Sequence, residues 1–168
     1  AMGALLLAAA YLKEEHQVLT VDVRGGGPAG RLVATATGGG EVRGLAGNPQ
    51  AEAVSTPQGK LNVGGVVGSA GFLSVTKDLG MKEPYSGMVE LQSGEIGDDL
   101  AHYLVRSEQT PSAVGVGVFV VPEGRVEAAG GFLVGRTKGE AIAAEIAISK
   151  QVQALGLAIA EVGPRPFS

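Results

Sequence analysis

The stretch from Leu91 to Ser112 constrains the fold most, because it carries the clearest helix signature and separates two groups of strand-like segments. Ser93 is expected to cap this helix, and Glu95, Asp98 and Asp99 place negative charge in its first turns, where the helix dipole favours it. Apolar residues at helical spacing predict one buried face, formed by Ile96, Leu100, Tyr103 and Leu104. The opposite, polar face is predicted to carry Asp98, Asp99, His102 and Arg106.

The residues after this helix predict its end and a return to strand structure. Thr110 precedes Pro111, and a residue before proline is disfavoured in the α region. Residues 113–121 then alternate like a strand, and residues 125–134 follow a turn, which predicts a hairpin.

Five further strand-like segments lie before the helix, at residues 17–24, 31–37, 41–46, 71–77 and 86–92. Strands with helices inserted between them predict an α+β domain whose helices cover an antiparallel sheet. Residues 63–67 are compatible with a short helix or a loop. Residues 2–13 predict another helix, with one buried stripe formed by Leu5, Ala8, Ala9 and Leu12.

The last part of the chain, from Thr137 to Val162, has the composition of one or two helices, interrupted at Gly156. We therefore expect a sheet-and-helix core domain at residues 1–136. Residues 137–168 are expected to form a helical linker.

Composition excludes several classes of function. The chain has no cysteine, so it contains no disulfide, thiolate zinc site or cysteine nucleophile. Its net charge of -4 and the lack of a basic run argue against binding to nucleic acid. The apolar run at residues 4–10 is much shorter than a membrane span and lacks the basic flank of a secretory signal. These features predict a soluble, intracellular protein.

One motif offers an enzymatic alternative. Gly25, Gly27 and Gly30 match the G-x-G-x-x-G pattern of dinucleotide-binding loops, which would suit a small nucleotide-dependent enzyme if a helix followed. The next residues, 31–37, instead alternate like a strand. The loop is therefore expected to be a turn between two strands.

The helix also carries a candidate proton-transfer group, since Asp98, Asp99 and His102 lie within about one turn of each other. No nucleophile accompanies them. Charge at the helix start and an Asp98–His102 pair explain the same residues. The residues Ser107, Glu108 and Gln109 are expected to satisfy backbone groups at the helix end. The residues thus predict no catalytic, cofactor-binding or metal-ligating site and no enzyme.

The segment GEIGDDLAHYLVRSEQTPSAVGVGVFV resembles the amino-terminal domain of the redox-regulated holdase chaperones of the heat shock protein 33 family. The resemblance includes GKLNVGGVVG and GFLSVTKDLGMKEPYSGMVEL before this segment and AAGGFLV after it. It extends from about Leu5 to about Val134. Beyond Val134 the resemblance fades: residues 137–162 agree in composition only, and residues 162–168 resemble the segment that leads into the family's first cysteine pair.

This resemblance implies a cytoplasmic, ATP-independent chaperone that binds partly unfolded client proteins during oxidative stress and prevents their aggregation. It also implies that a strand and a helix precede this segment, and that the family's zinc-binding cysteines would follow Ser168. Oxidation of those cysteines would release zinc, form disulfides, unfold the linker, open the client-binding surface and favour a homodimer. The sequence does not locate the client surface, and a purely structural interaction domain remains the other alternative.

Overall fold

The computed structural model describes residues 1–136 and 141–148 of the 168-residue chain, and they form the predicted α+β fold. Five strands make an antiparallel first sheet: β1 (Val18–Arg24), β2 (Arg31–Thr37), β3 (Val42–Ala46), β4 (Phe72–Asp78) and β5 (Tyr85–Glu90). Their order across the sheet is β3-β2-β1-β4-β5. The predicted meander of β1, β2 and β3 and the predicted β4–β5 hairpin are both confirmed.

A second antiparallel sheet follows in the chain, with the order β6-β7-β8. Its strands are β6 (Ser112–Val120), β7 (Val126–Arg136) and β8 (Ala141–Ile148). The β6–β7 hairpin confirms the prediction for residues 113–134. The helices are α1 (Met2–Tyr11), α2 (Val63–Val67) and α3 (Ile96–Arg106), so the segment at 63–67 is a helix.

The helices α1 and α3 lie between the two sheets. Helix α1 contacts β1 and β2 of the first sheet and β7 and β8 of the second, while α3 contacts β4, β5 and β6. Both sheets therefore bury one face against the same helical layer. The core between them is almost entirely aliphatic, with fully buried side chains from Leu6, Leu7, Leu19, Leu73, Val75, Leu100, Leu104 and Leu133.

The prediction of a single buried stripe on α1 is wrong. Every residue from Gly3 to Ala8 is buried, and Ala9 is exposed. A helix that lies between two sheets is covered on most of its circumference, so it does not need a polar face. At Gly3 a side chain would begin 2.5 Å from Cδ1 of Leu100, so glycine permits α1 and α3 to approach closely here.

The predicted central helix exists, but it begins later than expected. Its first residue is Ile96, and Glu95 occupies the N-cap without a side-chain capping bond. Ser93 therefore does not cap the helix; its Oγ accepts a hydrogen bond from the backbone N–H of Glu95 at 3.1 Å. The predicted buried residues Leu100, Tyr103 and Leu104 do face the core.

The helical prediction for residues 137–162 is wrong for residues 141–148, which form β8 and pair with β7. Alanine-rich composition favours a helix only weakly, and backbone pairing with a neighbouring strand overrides that preference. The rest of the predicted helical segment lies outside the described residues.

Candidate functional site

The outer side of the β6–β7 hairpin is the candidate functional surface. Alternate residues of a strand point to opposite sides, and Val114, Val116 and Leu133 point toward the core. The residues that alternate with these three therefore point outward. We call this set the hairpin face: Ala113, Gly115, Gly117 and Phe119 on β6, and Ala128, Gly130, Phe132 and Val134 on β7.

The hairpin face contains no charged residue and few large side chains. Phe119 is 59% exposed, Phe132 is 48% exposed and Val134 is 43% exposed. The ring of Phe132 lies over Gly115, since a Cβ at Gly115 would be only 2.4 Å from Cε1 of Phe132. This face therefore presents apolar side chains above a floor of glycine and alanine, and an apolar surface of this kind is typical of binding sites.

The outer face of the first sheet has the opposite chemistry. Hydroxyl pairs join neighbouring strands, with 3.2 Å between Oγ1 of Thr20 and Oγ1 of Thr35. An ion pair of 2.7 Å joins the Asp22 carboxylate to Nη2 of Arg31, and this hydrogen bond is the main reason that the pKa of Asp22 is lowered. Polar cross-strand pairs thus lie along the middle of the first sheet, although Leu45, Phe72 and Met88 are also exposed on its outer face. No such polar pair lies on the hairpin face within the described strands.

A buried polar cluster lies where the first sheet meets the end of α3. Nζ of Lys77 is 2.6 Å from Oε1 of Glu108, and Tyr103 donates its hydroxyl hydrogen bond to the same oxygen. The ammonium also lies 4.8 Å from the ring centre of Tyr11 and 4.7 Å from that of Tyr85. We call these five residues the corner cluster.

The corner cluster joins α1, β4, β5, α3 and the loop that leads into β6. Burial, together with the hydrogen bond to Glu108, raises the pKa of Tyr103, so its hydroxyl stays protonated and donates. The ammonium and the carboxylate need each other, because both side chains are largely buried and water solvates them only in part. The cluster therefore holds the start of the second sheet against the first.

Sequence reasoning missed this cluster, although one signal was available. In β4, Leu73, Val75 and Lys77 share one face, and the first two are buried core residues. A lysine that continues an apolar face is expected to find a buried partner. Glu108 was instead predicted to satisfy local backbone groups, and that prediction is wrong.

The residues that could have formed a proton-transfer group do not share one environment, because Asp99 is buried and Asp98 is exposed. Asp99 was predicted on the polar face of the helix, but it is fully buried. Its Oδ1 accepts hydrogen bonds from the backbone N–H groups of Gln92, at 2.6 Å, and Ser93, at 3.3 Å. Asp99 therefore fixes the loop before α3. The predicted Asp98–His102 pair is also wrong, because no ion pair or hydrogen bond joins these two described residues.

The glycine loop at residues 25–30 is a strand connection, as the alternation of residues 31–37 predicted. No helix follows it, since β2 begins at Arg31. Two of its backbone N–H groups are already used: Gly27 donates to the carbonyl of Val67 and Ala29 to that of Val66, each at 3.0 Å. The loop therefore cannot offer these two groups to a phosphate, and it lacks the helix N-terminus that a dinucleotide-binding loop leads into.

Within residues 1–136 and 141–148, no group of three or more histidine, cysteine, aspartate or glutamate side chains is placed to hold a metal ion. No helix in the same part of the chain combines the length and apolar character required to cross a bilayer.

Comparison with known proteins gives consistent matches. The model of the Hsp33 protein family matches residues 1–162. The 33 kDa chaperonin of Bacillus subtilis (strain 168) is 52% identical over 133 residues, which cover 79% of this chain and 45% of the relative. That of Synechocystis sp. is 53% identical over 133 residues, covering 79% of this chain and 44% of the relative.

A solved structure agrees with the fold. The crystal structure of the 33 kDa chaperonin, a heat shock protein 33 homologue from Thermotoga maritima, matches with a TM-score of 0.69 and 38% identity. The match covers 84% of this chain and 45% of that one. The chain thus spans about half the length of the curated relatives it matches.

Proposed function

Because the chain belongs to the Hsp33 family, we propose that it is the client-binding part of an ATP-independent holdase chaperone, which binds partly unfolded proteins and prevents their aggregation. The names of the relatives support a chaperone, and the described residues offer neither a nucleotide loop nor a metal-binding group. We propose that the protein acts by binding and not by catalysis.

The observation that carries this proposal is the hairpin face. A holdase must recognise many unrelated sequences, and their common property is exposed apolar surface. A face without charge and without polar cross-strand pairs binds such surface with little desolvation cost. Its glycine and alanine floor leaves the sheet accessible between Phe119 and Phe132, so different apolar segments can lie on it.

The test compares one large side chain on each sheet. Phe119→Ser removes apolar area from the hairpin face, whereas Met88→Ser removes an exposed side chain from the polar outer face of the first sheet. We expect Phe119→Ser to weaken the suppression of aggregation of a thermally unfolded client, measured by light scattering. Met88→Ser is expected to leave it unchanged, and equal losses in both variants would contradict the assignment of the surface.

We propose that redox regulation of the full-length protein, in the cytoplasm and with a homodimer as the active form, depends on residues outside this chain. Zinc does not fit the residues present: the chain has no cysteine, and the described residues provide no alternative group of ligands. Peroxide should therefore not change suppression by this chain in a manner that a thiol reductant reverses. A reversible change would show that another oxidation-sensitive group regulates it.

We also propose that residues 137–168 link the core at residues 1–136 to the rest of the protein and restrict access to the client surface. Deleting residues 137–168 should leave the core folded and increase client binding. The pairing of β8 with β7 makes this a stringent test, because removal of a strand that the sheet requires would unfold the core instead.

A further inference from the structure

We infer that the hairpin face contains a slot that takes one aromatic side chain of an extended client segment. This inference rests on the proposed function and specifies the chemistry that the surface recognises.

The slot follows from the register of the hairpin. Gly117 pairs directly with Gly130, so one row across both strands has no side chain on the hairpin face. The next row on one side pairs Gly115 with Phe132, and the next row on the other side pairs Phe119 with Ala128. A bare stretch of backbone is thus enclosed by one phenylalanine on each side.

The space above this row is open. A Cβ built on Gly117 meets no atom within 4 Å, so neither phenylalanine ring bends over it. The ring of Phe132 is directed across the strand onto Gly115 instead. The two phenylalanine rows, at residues 115 and 119 of β6, are four residue steps apart, a distance of about 13 Å at the usual rise per residue. That distance leaves room for one aromatic ring between two others.

The residues that line the slot favour an aromatic occupant. Phe119 and Phe132 form its two walls, and the backbone of Gly117 and Gly130 forms its floor. Aromatic rings pack favourably against each other, edge to face or offset, so two phenylalanine walls favour a third ring over an aliphatic side chain. The hairpin face itself carries no charged residue, and the register pairs Phe132 with Glu145 of the neighbouring β8. A carboxylate placed on this face would therefore lose its hydration without gaining a cation as partner. Chains that have lost their native structure expose the aromatic side chains that folding normally buries.

The probe is a set of four neutral eight-residue peptides, identical except for a central phenylalanine, leucine, alanine or aspartate. Binding to the 168-residue chain is followed by the backbone amide signals of Gly117 and Gly130 in NMR titrations. The phenylalanine peptide should bind best, followed by leucine, alanine and aspartate. Burial of an aromatic side chain predicts a difference of about tenfold or more between phenylalanine and alanine.

Gly117→Val fills the slot, and it is designed not to disturb the fold because its Cβ enters open space. Gly44→Val in β3 is the matched control, since a Cβ there meets only the carbonyl oxygen of Val33, at 3.8 Å. We expect Gly117→Val to lower the affinity for the phenylalanine peptide about tenfold and to leave the weak alanine binding unchanged. Gly44→Val should bind all four peptides like the original chain.

Each result decides the inference. Unchanged phenylalanine binding in Gly117→Val, or equal affinity for the phenylalanine and aspartate peptides, overturns the slot. If one of these results is obtained and Gly117→Val still suppresses client aggregation fully, only the slot is overturned and the proposed function stands. A chain that neither binds a peptide nor suppresses aggregation overturns both. If circular dichroism shows Gly117→Val to be unfolded, Phe119→Ala removes one wall instead, and the same loss of selectivity for phenylalanine is required.

Discussion

The two sheets cover the same helical layer, but they present different surfaces to solvent. The first sheet carries hydroxyl pairs such as Thr20–Thr35 and the ion pair of Asp22 with Arg31. The second carries glycine, alanine and two exposed phenylalanines on the hairpin face. Solvation of polar groups keeps the first face in water, whereas the second gains free energy when an apolar partner covers it. This difference is the reason that we propose the second sheet as the client-binding surface.

The largest effect is expected where the two sheets are joined. Lys77→Met leaves the Glu108 carboxylate buried without its cation, and such a loss typically costs about 3–5 kcal/mol of unfolding free energy. The measurement is urea unfolding of the full chain. The double variant Lys77→Met with Glu108→Gln removes both charges and should recover much of the loss. If the double variant is no more stable than the single one, the pair does not act as a unit.

The second-largest loss of stability is expected in the helical layer that both sheets share. Leu100 is 1% exposed on α3 and lies against Gly3 of α1. Leu100→Ala should lower the free energy of unfolding by about 2–5 kcal/mol, since it empties a packed site. The control is Asp98→Asn on the exposed side of the same helix, which should change stability by less than about 0.5 kcal/mol. Equal losses would mean that α3 is not packed between the sheets.

The smallest effect concerns the polar face of the first sheet. Arg31 lowers the pKa of Asp22 below its ordinary value of 3.8, so the folded state favours the ionised carboxylate. The resulting stabilisation is fully present above pH 3.8 and is lost as the pH falls through the lowered pKa. The stability difference between the original chain and Asp22→Asn should therefore shrink in urea titrations between pH 6 and pH 3. A difference that does not depend on pH would show that the ion pair contributes nothing.

Most of the fold could be predicted because the apolar residues that recur with strand or helix spacing in the sequence are the ones that the structure buries. Leu19, Val21 and Val23 alternate along β1 and are buried, and Leu100 and Leu104 recur at helical spacing on α3. The hairpin at residues 113–134 could also be predicted, because residues 113–121 alternate like a strand and residues 125–134 follow a turn. Its exposed side was not identified, because both sides of β6 and β7 are apolar and the sequence does not show which side a helix covers.

The family resemblance came from long stretches of sequence, such as GEIGDDLAHYLVRSEQTPSAVGVGVFV. The sequence by itself also determined the α+β class, the strands of the first 134 residues, the helices α1 and α3, and the absence of cysteine from this chain. These properties depend on local periodicity and composition, which each segment carries alone. Only the tertiary structure decided the rest. It buried Asp99 and most of the circumference of α1, paired Lys77 with Glu108 across 31 residues, made a strand of residues 141–148 and left the hairpin face exposed among the described residues. Each of these outcomes depends on which distant segment lies opposite, and one segment's pattern does not contain that information.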